Sequence, residues 1–170
     1  MTNQAFIDGQ NLTLGTTTSE NPWKIDLFKF REYLHSRYNI EKAYYFVGCM
    51  NDDLQDLYDR LQEAGFILVF RSHGEGLMSP KKGNVDTDIV FMMMRNFHED
   101  KTLEKIFLIS GDGDYYKTIK YLKENDKLGK ILFPAHRKAS SLYKRLGGTY
   151  YDYLDSKDVK KKIKLSGWHK

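Results

Sequence analysis

The chain has 170 residues, 41% of them hydrophobic and 29% charged, and its 27 basic and 23 acidic side chains leave a net charge of +4. That length suits one domain with a real core, and the composition excludes a disordered or fibrous protein. No apolar run reaches membrane-span length, the opening MTNQAFIDGQ lacks a secretory pattern, and a lone Cys49 excludes an internal disulfide or a cysteine-rich zinc site, so a protein of the reducing cytoplasm is expected.

Residues 4–8 (QAFID) read as a strand, and residues 26–38 (DLFKFREYLHSRY) as a helix with Leu27, Phe30, Leu34 and Tyr38 on one face. Residues 42–48 (KAYYFVG) form a second strand. A helix over 51–65 follows, with Asp52 and Asp53 in its first turn, Leu54, Leu57, Leu61 and Ala64 at helical spacing, and Gly65 as its stop. Residues 66–72 (FILVFRS) give a third strand, and 85–99 (VDTDIVFMMMRNFHE) a buried helix in which Met92 to Met94 fill the core. A fourth strand spans 105–110 (KIFLIS), a helix 115–126, a fifth strand 130–134 (KILFP), a short helix 140–146 and a last strand 149–154. Strands alternating with helices predict a three-layer α/β/α, Rossmann-like domain with a mainly parallel sheet. Residues 9–25 and 73–84 read as long loops, each following a strand, where function is often carried.

The segment LISGDGDYYK sets Asp112 and Asp114 one glycine apart where a strand ends. Either they make a turn and cap a helix, or they hold a divalent cation. In an open parallel sheet, ligands bind outside the carboxyl ends of the strands, near the point where strand order reverses. Asp8 ends the first strand, Asp86 and Asp88 open the helix after the third, and Asp112 and Asp114 follow the fourth. Each alone has a structural reading, since Asp suits a turn or a helix start. Together they would crowd like charges at one edge, which is costly unless a cation neutralises them or carboxyl pKa values rise.

FIDGQN, KGNVD and SGDGDY occur in the order and near the spacing found in NYN-domain proteins, and over residues 3–154 the chain resembles the LabA-like branch of the PIN-like nuclease superfamily. The resemblance implies a PIN-like fold, often with strand order 3-2-1-4-5. It also implies Mg²⁺ or Mn²⁺ bound by Asp8, Asp86, Asp112 and Asp114 for RNA cleavage, with Asn11 in support. Asp8 and Asp112, on strand ends, would then be direct ligands, and Asp86 and Asp114 would complete the shell. Asp88 stands where relatives often carry glutamate. The function so implied is a metal-dependent endoribonuclease acting on single-stranded or loop RNA.

Substrate contacts are expected from Arg71, Lys81 and Lys82 on backbone phosphates, and from Thr87 and Ser110 as hydrogen-bonding groups. Tyr115, with Tyr116 and Trp23, is a candidate for stacking on bases. His73 and His98 read as ordinary polar residues, because a metal-bound water removes the need for a histidine base. Alternatives on the same fold are a metal-dependent phosphatase or phosphotransferase and a non-catalytic RNA-binding regulatory module. A dinucleotide-binding site is disfavoured, since GDGDYY lacks the third glycine and puts acid where pyrophosphate would sit.

Residues 157–170 carry six lysines against Asp158, a net of +5, so the nuclease-like part, residues 1–156, sums to −1. This basic tail reads as an arm for RNA or as a helix that Val159, Ile163 and Leu165 dock onto the domain or onto the second copy of a homodimer.

Overall fold

β1 (Thr2–Asp8) shows how the pleat sorts this chain into two cores. Successive side chains of a strand point to opposite faces. Ala5 and Ile7 accordingly join one apolar cluster and Phe6 the other. Gln4, on the Phe6 side, accepts a 2.8 Å hydrogen bond from Asn96, and the same alternation sends Asp8 to that side. In this computed structural model, residues 1–48, 50–71 and 85–168 are described.

Five further strands pair with β1 in one sheet: β2 (Ile40–Val47), β3 (Ile67–Phe70), β4 (Leu103–Ile109), β5 (Leu128–Phe133) and β6 (Tyr151–Tyr153). Every pairing is parallel and the order is β3-β2-β1-β4-β5-β6. The chain builds outward from β1 to β3, then returns to lay β4 against the other side of β1. Strand order therefore reverses between β1 and β4, and a crevice forms at their carboxyl ends.

Helices α1 (Gly9–Thr17), α2 (Leu27–Tyr38), α3 (Gln55–Glu63) and α6 (Lys157–Ile163) cover one face, through Leu12, Phe30, Leu34, Leu61 and Ile163. Helices α4 (Val85–Glu99) and α5 (Tyr116–Glu124) cover the other, through Ile89, Met93, Ile119 and Leu122. These are the three layers expected. Phe30 and Leu34 of the predicted α2 face are wholly buried, and Gly65 stops the helical region at a φ of +90°, a value that favours glycine. On α3 only part of the apolar spacing is used: Tyr58 and Leu61 are buried, while Leu54 and Leu57 remain exposed.

Two expectations change. Residues 9–25 are not one long loop, because α1 occupies the first half. Asp8 caps it, accepting from the Asn11 amide at 2.9 Å, and Leu12 packs into the core; the two together offset the poor helix propensity of GQNLTLGTT. Of the two readings of the basic tail, residues 157–163 follow the second and form the docked helix α6. Ile163 is fully buried, its carbonyl accepts from the Asp26 amide at 2.8 Å, and the Leu165 amide donates to the Lys24 carbonyl at 2.9 Å. The short helix expected over 140–146 is a 3₁₀ segment, Ser141–Leu146. The second expected loop, 73–84, lies outside the described residues.

Candidate metal centre

Asp8 is the last residue of β1, and its side chain is 7% exposed. One carboxylate oxygen caps α1. The other accepts from the Tyr115 hydroxyl at 3.1 Å, and the same hydroxyl lies 2.5 Å from Asp86 Oδ1. Burial raises the Asp8 pKa above the ordinary aspartate value. The bonds from Asn11 and Tyr115 oppose that rise, and the nearby charges of Asp86 and Asp112 add to it. Tyr115 is itself fully buried. Burial, and then the Asp8 and Asp86 carboxylates, push its hydroxyl pKa far upward, so it stays a proton donor.

The loop after β4 is built by short-range bonds. Ser110 Oγ accepts from the Asp112 amide at 3.2 Å, and Asp112 Oδ1 accepts from the Asp114 amide at 3.0 Å to start a 3₁₀ turn, Gly113–Tyr115. Asn11 Oδ1 accepts from the Gly111 amide at 2.9 Å and ties this loop to the start of α1. Gly111 is required by close approach, since a Cβ there would lie 2.6 Å from the Lys138 carbonyl oxygen. The Tyr143 hydroxyl donates to the Asp112 carbonyl, a support from the segment after β5 that no local sequence pattern announced. Burial and the charges of Asp112, Asp114 and Asp86 raise the Tyr143 pKa far above its ordinary value.

The consequence is an acidic cluster at the β1/β4 crevice. Asp86, from the first turn of α4, meets Asp112 and Asp114 with one carboxylate oxygen of each within 4.8 Å of the others. Asp112 thus serves both readings of the sequence, capping the turn with one oxygen and standing in the cluster. Three carboxylates form an all-oxygen donor set, which matches hard cations such as Mg²⁺ or Mn²⁺ rather than the nitrogen and sulfur ligands preferred by zinc or copper. Asp8 stands outside the trio and is linked to it through Tyr115. Asp88 is also outside it, because residues two apart on a helix do not share a face.

The candidate substrate residues divide. Thr87 is exposed on the first turn of α4. Arg71 follows β3 at the same sheet edge, two strands and about 10 Å from β1. Lys81, Lys82 and His73 lie outside the described residues. Tyr115 and Ser110 require correction: both are fully buried, Tyr115 beneath the carboxylates and Ser110 in the loop, so neither presents itself to a ligand. Trp23 is 1% exposed and cannot stack on a base, and Tyr116 is half-buried with its ring against Tyr143. His98 sits twelve residues along α4 from Asp86, about 18 Å away, against Phe97.

The NYN domain family model matches residues 4–151. The chain is 28% identical over 127 residues to the low amplitude and bright protein LabA of Synechococcus elongatus, a match covering 69% of this chain and 66% of that protein, so just under two thirds of the relative is spanned. A solved structure of a protein of unknown function from Vibrio parahaemolyticus superposes with a TM-score of 0.73 over 96% of each chain at 16% identity, which speaks for the fold. The crevice carrying Asp86, Asp112 and Asp114 lies within the matched residues, and the chain belongs to the NYN domain family.

Proposed function

We propose that the chain is a metal-dependent ribonuclease that hydrolyses phosphodiester bonds in single-stranded or loop RNA. The observation that carries this reading is the convergence of Asp86, Asp112 and Asp114, with oxygens within 4.8 Å, at the crevice of a NYN domain. Those three residues would hold Mg²⁺ or Mn²⁺, with Asp8 behind them. Such an ion, when bound, lowers the pKa of a water and stabilises charge on a phosphodiester.

The chain's own residues set the geometry. Asn11 fixes the Asp112 loop against α1, and the Tyr143 hydroxyl fixes the Asp112 carbonyl. Tyr115 stands between Asp8 and Asp86 and donates its one hydroxyl proton to either of them in turn. Asp114 is exposed and Asp86 and Asp112 are half-buried, so the carboxylates are within reach of solvent. Thr87, exposed on the first turn of α4, would be a donor to a phosphate oxygen.

The test is cleavage of labelled single-stranded RNA by purified protein. Cutting should stop in EDTA and return with Mn²⁺ or Mg²⁺. Asp112→Asn should slow it about 100-fold or more, since metal charge stabilisation is worth several kcal/mol and about 1.4 kcal/mol is tenfold in rate. Cutting by Asp112→Asn at the wild-type rate would overturn the reading.

A further inference from the structure

A second cleft opens at the same sheet edge, on the face opposite Asp86. It has a volume of about 380 Å³ and lies between the end of α1, the residues after β5 and helix α6. It is joined to the acidic crevice by packed backbone: the Ser140 amide donates to the Gly111 carbonyl at 2.9 Å, and the Lys138 carbonyl occupies the space left by Gly111. Helix α1 links the two places, starting on Asp8 and Asn11 and lining the cleft with Gly15 and Thr18.

Arg137, Lys138 and Lys160 line the cleft with Glu20 and Asp155, an excess of one positive charge; Asp155 is taken up by His136, and two of the cations keep unused hydrogen-bonding capacity. Lys138 Nζ donates to the Leu14 carbonyl at 3.0 Å and to Thr18 Oγ1, which uses two of its three protons. Lys160 Nζ lies 5.2 Å from the centre of the Trp23 ring and makes one long 3.4 Å bond to the Asn21 carbonyl. Burial, and then the charge of Lys164, hold the Lys160 pKa below the ordinary lysine value, as incomplete solvation would. Arg137 pairs with Glu20, but both side chains are largely exposed, at 77% and 70%. Such a pair is worth about 0–1 kcal/mol and opens readily for a better anion.

We propose that this cleft is a phosphate subsite for the RNA strand, in which Lys138, Lys160 and Arg137 take backbone phosphates two or three nucleotides from the bond that is cut. The inference rests on the ribonuclease reading and gives the substrate a path over the sheet edge. Leu14, whose carbonyl anchors Lys138, is six residues past Asp8, about 9 Å along a helix. A stacked strand advances about 3.4 Å per nucleotide, which sets the offset. Lys160 acquires a role that neither a loose arm nor a purely structural helix would give it, because docking by Ile163 brings it into the cleft.

The experiment measures binding of fluorescein-labelled 12-nucleotide single-stranded RNA in EDTA, across a salt series, by anisotropy. For two lost phosphate contacts, Lys138→Gln/Lys160→Gln should weaken binding about 25-fold at 0.1 M salt and flatten the slope of log K against log salt by about 1.4. Lys138→Arg/Lys160→Arg should restore the slope. Thermal melting checks that each variant is folded. If loss of the Trp23 contact unfolds the first variant, Lys138→Gln/Arg137→Gln reads the same slope without touching Lys160. An unchanged slope and affinity in the folded variants would overturn the subsite, whether or not the wild type cuts RNA. Failure of the wild type to cut in Mn²⁺ would overturn the ribonuclease reading, whatever the slope.

Discussion

The Tyr115 hydroxyl stands 3.1 Å from Asp8 and 2.5 Å from Asp86 with one proton to give, so it can satisfy only one of the two acceptors at a time. Its burial explains why the sequence misplaced it. SGDGDY puts Tyr115 beside an exposed Asp114, where an aromatic reads as surface, but the 3₁₀ turn rotates it into the core under the carboxylates. Of the five aspartates named from the sequence, Asp86, Asp112 and Asp114 come together, because strand-end and helix-start positions follow from periodicity, while Asp8 and Asp88 stand outside the trio. The tyrosines that support them were not, since they depend on contacts across the fold. Tyr115→Phe keeps the packing and removes the donor, leaving one oxygen of the buried Asp8 carboxylate without it. An unmade hydrogen bond to a buried group costs about 1–3 kcal/mol, so the metal-free variant should lose stability of that order in denaturant titrations. A loss below about 0.5 kcal/mol would mean that the hydroxyl does not hold Asp8.

Among the elements, α1 and α6 diverge most from what the sequence suggested. The first was read as loop because glycine and threonine are weak helix formers, yet the Asp8 cap and the packing of Leu12 (2% exposed) secure it. Helix α6 lies in a tail that reads either as an arm or as a docked helix, because six lysines in fourteen residues hide three apolar positions. Val159 and Ile163, four apart, share the face that packs on the core, and the structure decides between the two readings. Removing the Ile163 side chain should therefore undock the element. Ile163→Ala should cost about 2–5 kcal/mol, the usual range for a buried isoleucine. Lys161→Gln/Lys162→Gln, at exposed positions, should stay within about 0.5 kcal/mol per site. Equal effects in thermal melts of the two variants would show that α6 is held by charge and not by its apolar face.

For the whole molecule, the parallel sheet and its layers followed from alternating strands and helices, and the crevice followed from the order β3-β2-β1-β4-β5-β6. What alternation could not reveal is that the two faces differ in charge at one edge, with three carboxylates over α4 and a mixed cleft of one excess positive charge between α1 and α6. That arrangement makes cation binding a global property. Three carboxylates held together by a folded scaffold repel one another, and an unfolded chain can separate them, so a cation that binds only the native state stabilises the entire domain. At a hundred times the dissociation constant the gain is about 2.7 kcal/mol. For a domain of this size each kcal/mol moves the melting temperature by about 2–4 °C, so saturating Mg²⁺ or Mn²⁺ should raise it by about 5–11 °C over EDTA. Asp86→Asn and Asp112→Asn each remove a ligand and relieve repulsion. Both should therefore melt no lower than wild type in EDTA and lose most of the metal-dependent rise. Calorimetric scans that show the same rise in wild type and in both variants would place the cation elsewhere on the molecule and detach the acidic crevice from metal binding altogether.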